Sequence, residues 1–320
     1  MKEMIIRKNV PLKNLTSFKI GGPAEFFARI KNLKDLKQAF RFAENNQLKV
    51  SVIGAGSNVL ISDVGVRGIV LLAANDGIKI DGARIIAGAG ALLDEVVEKS
   101  LEKNLRGLES LSGIPGTLGG AVFGNAGMWG KFIGDYVFEV KFFDGRTLKA
   151  FSRKDCLFGY KTSVFSAEGG KNTGGMIFEI VLKLEKGSLK PWEKLNLRNA
   201  IIAYRNIRYP KHNKSAGSFF KNVVLQELPR KTVKRLPDFA FSKKEVGSGY
   251  LLEQAGLAGK KIGRAVISKH QANYFVNLGL AKAGDIIKLA KFARNKVFSK
   301  FGVRLSPEVR LLGFEKDPFE

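Results

Sequence analysis

Between Ile114 and Gly130 the chain reads IPGTLGGAVFGNAGMWG, with six glycines in seventeen residues. Glycine loses more freedom on folding than any other residue, so this density belongs where backbone must turn with positive φ or approach a ligand closely. Phosphate suits bare backbone best, because N–H groups and a helix N-terminus bind it without a charged side chain. A linker is the competing reading, although linkers carry more serine and polar residues than this apolar mixture.

Two shorter glycine turns come earlier, GAGSNV from Gly54 and GAGALL from Gly88. Neither has the third glycine of a G-x-G-x-x-G fingerprint and no Walker lysine pattern occurs, so neither a Rossmann domain nor a P-loop is supported. Several separate turns of this kind would suit a long ligand with two phosphates threaded between two small domains, and a dinucleotide such as FAD fits that description.

The elements that must position these turns are mixed. Leu33, Leu36, Ala39, Phe40 and Ala43 recur at helical spacing, and LKVSVI (Leu48 to Ile53) follows as a strand. GIVLLA, GIKIDG and ARIIAGAGA predict short strands before a helix over LLDEVVEKSLEK. YVFEVKFFDGRTLKAF predicts a hairpin on Asp144-Gly145, and IFEIVLKL another strand. WEKLNLRNAIIAYRNIR reads as a helix linking to a C-terminal region that ends in a long amphipathic helix from about Ala283 to Phe301. The fold class is α+β, in three sections.

Composition bounds the function. The chain has 320 residues, 45% of them hydrophobic, with no apolar run approaching a membrane span. The opening MKEMIIRKNVPLKNLTS shows no apolar segment followed by a small-residue cleavage site, so a cytoplasmic protein is expected. One cysteine, Cys156, and two histidines, His212 and His270, leave no basis for a disulfide or a metal cage. The net charge of +25 admits three readings: nucleic-acid binding, attraction of small anionic substrates, or a lysine-rich surface. The excess is concentrated between Lys186 and Lys244, where Glu193, Glu227 and Asp238 are the acids. No zinc-finger spacing or RNP-type strand accompanies it, so nucleic acid is the runner-up.

Seven segments together resemble the UDP-N-acetylenolpyruvoylglucosamine reductase family, in the family's order: NLTSFKIGGPA, GAGSNVLISD, GLESLSGIPGTLGGAVFGNAG, YKTSVF, AGSFFKN, SKHQANYFVN and LSPEVRLLG. The resemblance implies two N-terminal α+β domains, 1–76 and 77–195, that form an FAD cradle, and a C-terminal α+β domain, 196–320, that takes the UDP-sugar. It implies that NADPH reduces the flavin, that a hydride reaches the terminal methylene carbon of the enolpyruvyl ether, and that an enzyme acid protonates the neighbouring carbon. The expected partners are these small molecules, with no nucleic acid, and a monomer is expected.

Carried over residue by residue, the resemblance puts the proton donor on Ser218 and a glutamate near the substrate carboxylate on Glu308. A serine hydroxyl is a poor acid and needs a flanking charge; Lys221 is the candidate partner. The bland reading of Ser218 is a turn or cap serine, and Phe219 and Phe220 are expected to pack. Tyr160, Lys221 and Asn222 are the implied substrate contacts. Where the family has Tyr-Arg this chain has Tyr160-Lys161, a point charge in place of a bidentate fork. Either Lys161 carries the cationic role or an arginine elsewhere, such as Arg205 or Arg208, reaches the site. Val223 and the run VFGNAGMWG also depart from the family pattern and are expected to repack around the flavin.

For FAD the expected contacts are Gly54, Ala55, Gly56, Ser57 and Asn58, with Ser112, Gly113, Ile114, Pro115, Gly116, Thr117, Gly119 and Gly120 around the pyrophosphate and Asn125 and Gly127 near the flavin. Asp63 reads as a capping or turn aspartate. Between Phe165 and Ile177 only a short polar turn stands, which resembles the family branch lacking a substrate-covering tyrosine loop. The basic stretch could steer anionic ligands, and Lys211, Lys214 and Lys260 would separate that from a solvated surface. A flavin-linked oxidase shares such a cradle, but those enzymes often tether FAD through an early histidine, and none precedes His212.

Overall fold

The computed structural model describes residues 4–166, 174–188, 190–208, 214–242 and 245–320. The chain forms two compact units. The first gathers Met1–Val10, Ala24–Ala55 and Arg67–Ile207, and the second Pro11–Pro23, Gly56–Val66 and Arg208–Glu320.

The first unit holds a four-stranded and a five-stranded sheet, besides two short two-stranded pairs. The four-stranded sheet orders its strands Arg7–Pro11, Pro23–Ile30, Val66–Ala73 and Val50–Ile53. Helix α1, Leu33–Asn45, buries Leu36, Ala39, Phe40 and Ala43 in that sheet's core beside Ile30, Ile69 and Leu71, as the spacing predicts. Asn32 caps α1, its side chain accepting from the Asp35 N–H at 2.9 Å.

The second sheet orders its strands Leu148–Ser152, Val137–Phe143, Met176–Lys183, Arg84–Gly88 and Ile78–Asp81, antiparallel throughout. The hairpin on Asp144-Gly145 is present. Asp144 Oδ1 accepts from Arg146 N at 2.9 Å and Thr147 N at 2.8 Å, and Gly145 takes φ +103°. The Lys149 ammonium, 2.7 Å away, followed by the Thr147 and Arg146 N–H groups, holds the Asp144 carboxyl well below the usual range. Helices α2 (Leu93–Glu102) and α3 (Leu118–Phe123) pack on this sheet through Val96, Val97, Leu118 and Val122. Helix α4, Pro191–Arg208, completes the unit up to Ile207.

In the second unit α5 (Arg230–Val233), α6 (Ser248–Gln254) and α7 (Ala283–Phe301) surround a core that includes Phe18, Ile20 and Leu60. The long C-terminal helix has its expected bounds and buries Ile286, Leu289, Ala290, Ala293 and Val297. Asp63 is a cap, as its type suggested: its carboxylate accepts from Ala283 N at 2.8 Å and Gly284 N at 3.1 Å, the free donors of the first turn of α7. The helix stops at Gly302, which is left-handed at φ +69°. Arg310–Leu312 pairs in parallel with Val59–Ile61, tying the two ends of this unit's sequence together.

Candidate functional site

In the first unit the earliest glycine turn and the glycine-rich segment meet. A methyl group on Gly54 would stand 2.3 Å from the Thr117 hydroxyl, so bare backbone is required at the end of strand Val50–Ile53. Thr117 caps α3, its Oγ1 accepting from Gly120 N at 3.3 Å.

Much of the segment spends its donors inside the protein. Ser112 is fully buried and its hydroxyl donates to Glu109 O at 2.7 Å. Gly113 N donates to Asp94 Oδ1 at 2.7 Å and Ile114 N to Leu111 O at 3.1 Å. Leu118 N and Gly119 N donate to Ala91 O and Ala89 O at 2.7 and 2.9 Å, and a methyl on Gly119 would meet Ala89 Cβ at 2.7 Å. Gly127 is pressed against Lys131 and Phe132 in a tight hairpin. Among the described residues, the N–H groups of Gly54, Ala55, Gly116 and Thr117 have no hydrogen-bond acceptor in the protein.

Asn125, left-handed at φ +44° and buried, uses both ends of its amide: Nδ2 donates to Gly159 O at 2.7 Å and Oδ1 accepts from Gly134 N at 3.0 Å. Its role is therefore to fasten the end of α3 to the turn that carries Tyr160 and Lys161. Ser163 adds a second tie, its hydroxyl donating to Phe123 O at 2.7 Å, and Cys156 O accepts from Val164 N at 2.8 Å. Burial, with a smaller contribution from Asp155, pushes the Cys156 thiol up to about 12. Lys161 itself is left-handed at φ +56°, and Tyr160 meets Phe132 edge to face at 6.4 Å. Such a conformation in a non-glycine residue persists where its surroundings dictate it.

Helix α4 covers the glycine segment, which its reading as a connector does not foresee. Arg198 pairs with Asp94 at 2.9 Å, and Ile202 and Arg205 lie 3.4 Å from where a Gly113 methyl would be. Arg205 Nη1 also lies 3.1 Å from Met128 Sδ, and Tyr204 packs on Trp129 at 5.4 Å. Of the two arginines named as substitutes for Lys161, Arg205 thus borders the glycine segment, and the Arg208 side chain lies outside the described residues. The middle of the turn after Phe165 and Lys211 lie outside them too.

In the second unit Ser218 and Glu308 come to adjacent segments. Gly217, at φ +76°, turns the chain into Ser218, which bridges Tyr274. Phe219 N donates to Asn273 O at 2.8 Å, and Glu308 N donates to Phe219 O at 2.7 Å. Asn273, missed in the sequence, grips both backbone groups of Phe220: Oδ1 accepts from its N–H at 2.9 Å and Nδ2 donates to its carbonyl at 2.8 Å. Phe219 and Phe220 are fully buried against each other and Phe275, a packing role as expected. Lys221 N donates to Ser306 O at 2.9 Å, Ser248 Oγ donates to Lys221 O, and Asn222 Oδ1 accepts from Ser248 N at 3.2 Å. Asn58 joins the cluster, Nδ2 donating to Glu308 O at 3.2 Å and its carbonyl accepting from Arg310 N at 3.2 Å. Gly56, at φ +65°, has Leu15 O where a side chain would start, and its carbonyl accepts from Ser17 N at 3.0 Å.

The first unit therefore has what a pyrophosphate needs: four backbone donors without an acceptor among the described residues, gathered where Gly54 meets the capped start of α3. The residues fit FAD. Residues 24–147 match the FAD binding domain family, and residues 209–312 match the family described as UDP-N-acetylenolpyruvoylglucosamine reductase, C-terminal domain. Fold and site together define a flavin-dependent oxidoreductase.

The chain is 33% identical over 97% of its length to a UDP-N-acetylenolpyruvoylglucosamine reductase of Solibacter usitatus, covering 97% of that protein. It is 34% identical over 95% of its length to the enzyme of that name from Alkaliphilus oremlandii, covering 92% of it. The crystal structure of UDP-N-acetylenolpyruvylglucosamine reductase from Thermus caldophilus superposes with a TM-score of 0.76 at 30% identity, covering 97% of this chain and all of that one. The chain belongs to the UDP-N-acetylenolpyruvoylglucosamine reductase family. No helix among the described residues is long and apolar enough to cross a membrane.

Proposed function

We propose that this chain reduces the enolpyruvyl ether of UDP-N-acetylglucosamine enolpyruvate to the lactyl ether of UDP-N-acetylmuramate, with NADPH as reductant. The observation that carries it is the pairing of the Ser218 and Glu308 segments, which gives a proton donor and a carboxylate one shared framework. The family's names supply the substrate, and the chemistry of an electron-poor double bond supplies the need for both groups.

FAD, when bound, supplies the hydride that goes to the terminal methylene carbon. Gly54, Ala55, Gly116 and Thr117 would hold its pyrophosphate through backbone N–H groups, and Gly56, Ser57, Asn58, Pro115 and Gly120 are the further cofactor contacts we propose. Ser112, Gly113, Ile114, Gly119, Asn125 and Gly127 are the frame that shapes this stretch. Domain limits at 76 and 195 remain part of the proposal, with the first two sections forming the cradle.

Ser218 gives its hydroxyl proton to the carbon next to the carboxylate, so the double bond gains one hydride and one proton. Its backbone is fixed on both sides, by Tyr274 and through Phe219 by Glu308, so little reorganisation is needed at transfer. Glu308 stands where charge moves onto the substrate carboxyl in the transition state, and Lys161 and Lys221 supply positive charge for that carboxyl and the diphosphate. Tyr160 and Asn222 line the substrate. A cytoplasmic monomer is the working form we propose.

The test is anaerobic. NADPH added to the purified protein should bleach the flavin absorbance near 450 nm, and the enolpyruvyl sugar should restore it. Bleaching without recovery would refute the substrate, and protein purified without flavin and unable to take it up would refute the whole reading.

A further inference from the structure

We infer that Arg198 is a positioning residue for cofactor binding: through Asp94 it sets the Gly113 turn and so the affinity of the glycine segment for FAD. The inference rests on the reading that Gly116 and Thr117 hold the pyrophosphate.

Leu111 to Ile114 form a type II turn. Ser112 sits at φ −53°, ψ 133°, Gly113 at φ +70°, and Ile114 N donates back to Leu111 O at 3.1 Å. This turn needs glycine at its third position and directs that residue's N–H outward. The outward N–H is taken by Asp94 Oδ1 at 2.7 Å, and the other carboxylate oxygen by Arg198 Nη2 at 2.9 Å. Arg198 also lies 3.8 Å from Glu98.

Two features make this more than a surface ion pair. The Arg198 side chain is only 14% exposed, and its Nε is buried with no acceptor among the described residues, so its desolvation is offset mainly by the Asp94 carboxylate at 2.9 Å, with Glu98 further off at 3.8 Å. Next, the turn leads through Ile114 and the fixed φ of Pro115 into Gly116 and Thr117, so a change at Gly113 is passed to the N–H groups that meet the ligand. Ile202 and Arg205, one and two turns further along α4, lie against the same Gly113.

The charges give a distinctive signature. Asp94, on α2, sets a negative charge against the N–H of Gly113, three residues before Gly116, beside a loop that must accept an anionic diphosphate. Arg198 neutralises it. Removing Arg198 alone leaves that carboxylate without its nearest positive charge, whereas removing both charges does not.

The test titrates FAD into flavin-stripped full-length protein at several salt concentrations, following flavin fluorescence, with the thermal midpoint of each apo protein measured alongside. Arg198→Met should raise the FAD Kd by about tenfold or more, most at low salt. Asp94→Asn/Arg198→Met should bind more tightly than Arg198→Met alone, and Arg198→Lys should recover most of the loss. Wild-type protein that binds FAD while Arg198→Met and Asp94→Asn bind within twofold of it would overturn the inference and leave the FAD reading intact. A loss that follows the apo midpoint alone, with no salt dependence and no recovery in the double variant, would also overturn it. Wild-type protein that takes up no FAD would overturn both.

Discussion

The backbone N–H of Glu308 donates to the carbonyl of Phe219 at 2.7 Å, which places the glutamate across from the residue that follows Ser218. Two groups ninety residues apart in sequence thus share one hydrogen-bonded framework, and changes to that framework have defined consequences.

Asn273→Ala should cost about 2–4 kcal/mol, because it leaves the N–H and the carbonyl of the buried Phe220 without their partner. Urea unfolding measures this directly. The same variant should slow substrate reduction more than flavin reduction, since it loosens the backbone that holds Ser218.

Asp63→Ala should cost about 1–2 kcal/mol of stability by uncapping α7, with little effect on FAD affinity. Asp63→Asn should recover part of the loss. A urea titration of the three proteins distinguishes these outcomes.

Lys161→Ala should raise the KM for the enolpyruvyl sugar by about tenfold or more and leave flavin reduction by NADPH nearly unchanged, as expected for a charge that grips the substrate. Lys161→Arg should retain most of the affinity, because the turn that Asn125 and Ser163 fasten presents either cation. Steady-state kinetics of both variants checks this.

Cys156 should resist iodoacetamide at pH 8 in the folded protein and react once unfolded, since burial holds its thiol pKa at about 12. A folded pKa raised above the unfolded value stabilises the fold fully below the unfolded pKa, near 8.5, and that contribution is lost as pH rises toward 12. Cys156→Ala should remove this part of the alkaline decline, read from thermal midpoints between pH 8 and 11.

Local patterns were legible in the sequence. The spacing of Leu36, Ala39, Phe40 and Ala43 describes α1, and Asp144-Gly145 describes its hairpin, because periodicity and turn chemistry act over a few residues. The roles proposed for Ser218 and Glu308 come from their motifs alone. The roles of Asp94, Arg198, Asn125 and Asn273 were not legible, since each depends on a partner brought close by the fold: Asp94 and Arg198 are 104 residues apart, and Asn273 and Phe220 are 53. Helix α4 read as a connector because its sequence shows an amphipathic helix but not what it covers. The donors of Ser112, Gly113 and Gly119 looked available for the same reason, and their acceptors are Glu109, Asp94 and Ala89.

The central claim is that Ser218 delivers the proton to a substrate reduced by the flavin. The most direct measurement is an anaerobic single turnover: wild-type and Ser218→Ala proteins are reduced with NADPH, mixed with UDP-N-acetylglucosamine enolpyruvate, and followed at 450 nm. The account predicts equal rates of flavin reduction and a reoxidation rate lower by about 10²–10⁴ in the variant. Reoxidation within a few-fold of wild type would contradict it and move the proton donor to another residue.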